Sequence, residues 1–156
     1  MAEAKAAETT KLLLEIFIKA TPERLWQAIT DGSITEKFYF GGKAQSDWKT
    51  GSEYKYVSAE GKAMIAGKVV ESDPPRKLVT TFIPLYAGSE NPPTSRVTYE
   101  ITPMGEACKL ALTHDELVAG DPINEQFRGG WAHILSGLKT FVETGEPLVV
   151  TPPKEG

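Results

Sequence analysis

Cysteine is almost missing from this sequence: Cys108 stands alone in 156 residues. No intramolecular disulfide can form, and the paired Cys spacings of structural zinc sites are absent. A lone cysteine suits a reducing compartment, so a cytoplasmic location is expected. Positive charge is also short. The 17 Lys and Arg are outnumbered by 21 Asp and Glu, for a formal net charge of -4, which leaves no overall field to attract a phosphate backbone. No run of Lys and Arg interleaved with aromatics compensates locally, so nucleic acid is not an expected partner. Long apolar runs are lacking too. Each candidate is broken by charge well before the ~20 residues a membrane span requires, so no membrane partner is expected either. Met1 to Thr10 has neither the basic start nor the apolar run of a secretory signal and reads as a flexible tail. Nucleophile elbows, phosphate-binding loops, dinucleotide fingerprints and His-Glu-x-x-His are all absent. Cys108 and His114 fall on one predicted strand and His133 on the C-terminal helix, without metal-ligand spacing, so the sequence calls for no metal and no cofactor.

What is present is an ordinary globular composition, 40% hydrophobic and 24% charged, in a chain long enough for one buried core. The expected domain runs over residues 11–146, with tails at 1–10 and 147–156. Lys11 to Lys19 alternates as a strand, with Leu12, Leu14, Ile16 and Ile18 on one face. Thr21 and Pro22 then open a short helix, Asp31-Gly32 breaks it, and Ser33 is placed to cap a second turn through Phe38. Six alternating runs come next, near Ala44–Trp48, Glu53–Ser58, Ala63–Ser72, Leu78–Ile83, Arg96–Thr102 and Cys108–His114. Their short Gly- and Pro-rich connections make them antiparallel neighbours. Beyond Asp121-Pro122 the period becomes helical, with Phe127, Trp131, Ile134, Leu135, Leu138, Phe141 and Val142 forming a wide apolar face that Gly145 ends. A helix of about twenty residues is ~30 Å long, enough to cross a small sheet. The fold class is therefore α+β, a curved antiparallel sheet of about seven strands around one long C-terminal helix, with two short helices after the first strand.

That order resembles the helix-grip architecture, and the wording is closer still. Ala20-Thr21-Pro22-Glu23-Arg24-Leu25-Trp26, Trp48-Lys49-Thr50-Gly51-Ser52 and the stretch from Gly67 through Asp73-Pro74-Pro75-Arg76 to Leu78 each look like family motifs. Most specific is Gly130-Trp131-Ala132-His133-Ile134-Leu135-Ser136-Gly137-Leu138 running on to Gly145. From about Leu12 to Gly145 the chain resembles the activator of heat-shock protein 90 ATPase homologue-like family, within the START and birch-pollen-allergen superfamily. The resemblance implies a cavity between sheet and helix. Relatives of this kind include ligand carriers, polyketide cyclases and cochaperones, and the resemblance carries over no catalytic residues.

The leading expectation is a small apolar or amphipathic ligand held in that cavity by Tyr56, Phe82, Tyr99, His114, Phe127, Trp131 and Leu135. The alternatives are a cochaperone-like or other protein-interaction module, and a cyclase or hydrolase-like enzyme using His114. His114 shares a strand face with Cys108, Leu110 and Leu112 and points inward. An inward imidazole suits a general base, while a histidine near a strand end also bonds backbone and fixes a turn. Asp115 is expected on the opposite face. His133 lies about 200° round the helix from Trp131 and reads as solvated. Gly130 and Gly137 either open the cavity mouth or allow close packing. Cys108, mid-strand on an apolar face, reads as an inert core thiol. Phe38 to Phe40 and the Pro84 to Thr94 loop are candidate lids.

Overall fold

Alternation sets the first strand, and capping chemistry sets the two short helices after it. In the computed structural model, residues 8–87 and 92–153 are described. Strand β1 (Thr9–Ile18) buries Leu12 and Ile18 and exposes Leu13 and Phe17. It starts within the stretch expected to be a tail, whose residues 1–7 lie outside the described ones. The Thr21 hydroxyl accepts the Arg24 N–H at 3.1 Å, and Pro22 opens α1 (Pro22–Thr30). The second helix, α2 (Gly32–Thr35), is capped by Asp31 rather than by Ser33 as expected. The Asp31 carboxylate takes the Ser33 N–H at 2.9 Å, since an ionised acceptor at this position is stronger than a hydroxyl. Gly32 belongs inside α2 because a Cβ there would sit 2.6 Å from the Ala44 carbonyl oxygen.

Strands β2 (Lys43–Ser46), β3 (Glu53–Val57), β4 (Ala63–Asp73), β5 (Lys77–Pro84), β6 (Ser95–Met104) and β7 (Ala107–Val118) join β1 in one seven-stranded sheet. Its order is β1-β7-β6-β5-β4-β3-β2, antiparallel throughout, so consecutive strands are neighbours and β1 returns beside the last strand. Most strand ends move by a residue or two from expectation, and two of the differences have a visible cause. Trp48 leaves β2: its backbone is left-handed at φ 57° and its indole N–H donates to the Thr30 carbonyl at 2.9 Å. β7 continues past His114 to Val118. The charged Asp115-Glu116 pair interrupts the apolar alternation, yet the ladder survives it through a bulge at Glu116, φ 58°, where the β1 register shifts between Thr10 and Leu12.

Helix α3 (Ile123–Thr144) lays Phe127, Trp131, Ile134, Leu135 and Leu138 onto the concave face of the sheet. At 22 residues it is ~33 Å long. Gly145 ends it with φ 80° and an N–H bonded to the Phe141 carbonyl at 2.7 Å, the left-handed stop that glycine adopts without steric cost. Two polar contacts fix the C-terminal half of α3 on the sheet edge. Lys139 Nζ donates to the Phe17 carbonyl at 2.7 Å, and Glu143 accepts the Lys19 N–H at 2.8 Å. The result is the α+β helix grip: a curved antiparallel sheet around a long C-terminal helix, with α1 and α2 after β1. No helix among the described residues is long and apolar enough to cross a membrane.

Candidate functional site

Between α3 and the strands lies a cavity of about 270 Å³. The helix supplies Gln126, Phe127, Gly130, Trp131 and Ile134, which recur at three- and four-residue steps and so share one face. The sheet supplies Met64 and Ile65 from β4 and Phe82 from β5, and Tyr39 and Phe40 come from the connection after α2. Tyr86, in the short 3₁₀ turn Leu85–Ala87, reaches the same space.

The glycines of α3 divide between the two roles considered for them. A Cβ on Gly130 would meet nothing within 4 Å, so this glycine opens the cavity. A Cβ on Gly137 would lie 3.0 Å from the Phe38 Cβ, so that glycine lets the helix pack closely.

Phe82, Phe127 and Trp131, expected at the cavity, line it. Tyr56, Tyr99 and Leu135 do not. They surround a separate void of about 10 Å³, and Tyr39 and Ile134 touch both spaces and partition them. A void that small holds one water at most. Tyr39 stacks on Tyr56 with centroids 4.1 Å apart, and burial first, then neighbouring tyrosines, raises the pKa of both hydroxyls well above the usual phenol value. Burial likewise raises that of Tyr99. These phenols stay neutral at ordinary pH.

His114 stands behind the wall. Its ring lies 4.8 Å from Phe82, 4.7 Å from Phe127 and 5.9 Å from Trp131, and none of it is exposed. It binds side chains, not the turn backbone suggested by its place in the strand. The Trp131 indole N–H donates to Nδ1 at 2.9 Å, and Ser95 Oγ lies 2.7 Å from Nε2. An indole can only donate, so Nδ1 is the acceptor, and the neutral ring must carry its proton on Nε2 and donate to Ser95. Ser95 in turn faces the Phe82 carbonyl at 3.4 Å, so one directed chain ties α3 to β7, β6 and β5. Desolvation lowers the His114 pKa to about 4, and the nearby Asp115 charge opposes this only in part. With its single basic lone pair engaged by Trp131, the imidazole is poorly placed to take a proton from a substrate. Asp115 faces outward as expected, bonded twice to Arg96 at 3.0 and 2.6 Å, which holds its carboxyl below the usual range.

His133 corrects its expectation. It is half-buried, not solvated, because Phe40 folds over that side of α3 and stacks on its ring at 4.6 Å and 15°. Its Nδ1 is buried without a partner among the described residues. Phe40 holds a left-handed φ of 49° and is 54% exposed, so it lies at the rim. Of the candidate lids, the Phe38–Phe40 segment thus divides: Phe38 and Tyr39 are buried and Phe40 is at the rim. Of the Pro84 to Thr94 loop, Tyr86 reaches the cavity, and residues 88–91 lie outside the described ones. Cys108 is buried, its thiol donates to the Ala20 carbonyl at 3.2 Å, and burial pushes its pKa up. Among the described residues no group of three His, Cys, Asp or Glu side chains is disposed to hold a metal ion.

The sequence pointed to Tyr39 only as part of the Phe38–Phe40 candidate lid, and it did not single out Met64, Ile65, Gln126 or Ile134 as cavity residues. The two helical positions among these were within reach: Gln126 precedes Gly130 by four residues and Ile134 succeeds it by four, which puts both on the Gly130 face. Tyr39 had no such signal, since it lies in an irregular connection.

Residues 19–143 match the family described as Activator of Hsp90 ATPase homolog 1-like protein. The chain belongs to this family. No curated protein matches it significantly. Among solved structures, it is similar to an HSP90 activator from Plasmodium falciparum, with 24% identity over 88% of this chain and 97% of that one and a TM-score of 0.70. The Aha1 dimer from Colwellia psychrerythraea gives 20% identity over 87% and 98%, with a TM-score of 0.72. DynU16, from the dynemicin biosynthetic locus, gives 22% identity over 88% of this chain, which spans 48% of that protein, with a TM-score of 0.72. Likeness at these identities establishes the fold that this family member shares with them.

Proposed function

We propose that the protein binds a small apolar molecule in the cavity between the sheet and α3. The observation that carries this reading is Gly130: this cavity-lining position of the helix carries no side chain, and a Cβ placed there would meet nothing within 4 Å. A chain built only for stability gains from filling such a void, because an unfilled cavity forfeits both burial and dispersion contacts. A glycine inside a helix costs roughly a further 1 kcal/mol relative to alanine.

Native mass spectra of freshly purified protein, beside thermal unfolding with small neutral apolar compounds, test the reading. The expected result is a co-purified mass or a saturable stabilisation, about 2.7 kcal/mol at a hundredfold excess over Kd. Neither signal with any compound would count against it.

A second reading, a cochaperone-like protein-interaction module, draws on the family's description and on the likeness to an HSP90 activator. It predicts that the chain raises the ATPase rate of an HSP90 in a coupled assay. A cyclase or hydrolase-like reaction through His114 has less support, because the imidazole lies behind the cavity wall with both nitrogens engaged.

A further inference from the structure

We infer that the cavity selects an uncharged, rigid aromatic molecule of about two fused rings, and rejects both anions and flexible chains of equal size; this rests on the cavity-binding reading above.

The size limit comes from the volume. A space of about 270 Å³ falls just below the ~300–1,000 Å³ of sites for drug-sized ligands. Two fused rings with one substituent fill it, while a sterol or long acyl chain would overrun it.

The charge limit comes from the walls. Every described residue lining the cavity is uncharged. A carboxylate drawn inside would lose its hydration and find no cation, an arrangement that instead drives the group to neutralise. The polar atoms available are few and neutral. Gln126 is exposed and Tyr86 is 52% exposed, so the Gln126 amide and the Tyr86 hydroxyl sit toward the solvent side. They suit one hydroxyl or carbonyl at the outer end of the ligand.

The preference for rings over chains comes from what the walls present. Tyr39, Phe40, Phe82, Tyr86, Phe127 and Trp131 make up 6 of the 11 described lining residues. They already meet one another edge to face: Phe82 and Phe127 at 88°, Tyr39 and Trp131 at 87°. A ring entering this set extends the same geometry, and the Met64 sulfur adds a polarisable contact. An alkyl chain of the same volume makes dispersion contacts only and must freeze many torsions, which a fused ring does not.

Titration calorimetry at pH 8 with 2-naphthol, 2-naphthoate and 1-decanol, on the full chain and on Gly130→Leu, separates the possibilities. Leucine at position 130 meets open space, so the variant should fold while its side chain occupies the cavity. Circular dichroism and the unfolding midpoint verify that it does. The expected result is 1:1 binding of 2-naphthol, at least tenfold tighter than either of the other two and lost in Gly130→Leu. If 2-naphthoate or 1-decanol bound as tightly as 2-naphthol, and all lost affinity in the variant, the selectivity would be wrong while the cavity reading stood. If none of the three bound, or if affinity were unchanged in a folded Gly130→Leu, the selectivity and the cavity reading would both fall.

Discussion

The Trp131 indole N–H points at His114 Nδ1 across 2.9 Å, and this bond makes a helix residue the arbiter of an imidazole tautomer on the sheet. Removing either partner strands the other. His114→Leu leaves a buried indole N–H unsatisfied, and Trp131→Phe leaves a buried ring nitrogen without its donor. Each is expected to cost about 1–3 kcal/mol, beyond the packing lost with the indole. The double variant should cost less than the sum, because each single change already breaks the same bond. Urea unfolding midpoints of the four proteins check this, and strict additivity would show that the bond contributes nothing.

The low pKa of His114 makes stability fall with acid. The unfolded imidazole titrates near 6.5 and the folded one near 4, so between these values the unfolded chain binds more protons and stability declines as the pH drops. The full span amounts to roughly 3 kcal/mol. Asp115 and Glu143, whose pKa values are lowered by Arg96 and Lys139, lose their contributions only below their ordinary values of 3.8 and 4.5. Unfolding free energies between pH 7 and 5 therefore report mainly on His114, and His114→Leu should flatten the slope in that window. An equal slope in both proteins would assign it elsewhere.

Gly130 and Gly137 should respond differently to the same change. Gly130→Ala enters open space and gains helix propensity, so a stabilisation of up to about 1 kcal/mol is expected. Gly137→Ala places a methyl 3.0 Å from the Phe38 Cβ, and the helix or Phe38 must shift, which offsets that gain or reverses it. Melting temperatures of the two variants decide. Equal shifts would remove the distinction drawn between the glycines.

Cys108 should label only when the protein opens. Its thiol is buried, bonded to the Ala20 carbonyl and raised in pKa, so a maleimide meets little thiolate. Labelling followed by mass should be slow in buffer and fast in urea above the unfolding midpoint. Rapid labelling of native protein would contradict the burial.

Faces were legible in the sequence where periodicity was strong, as in Leu12 through Ile18 on β1 and Phe127 through Leu138 on α3. Period alone tells which way a side chain points, not what lies over it. His133 is on the expected side of α3, yet Phe40 comes from a segment about a hundred residues earlier and covers it. The same limit applies to His114. Its inward direction came from alternation, but its partners Trp131 and Ser95 meet it only once three separate elements assemble. Charge misled at the end of β7, where Asp115 and Glu116 concealed a strand that continues by bulging.

The pairing of β1 with β7 has a consequence for how the chain is made. Leu14 faces Leu112, so the first strand emerges from the ribosome roughly a hundred residues before its partner. Until then Leu12 through Ile18, rich in residues that favour sheet, has neither neighbour nor covering helix. Translation therefore leaves this apolar segment unpaired while the strands between β1 and β7 are made.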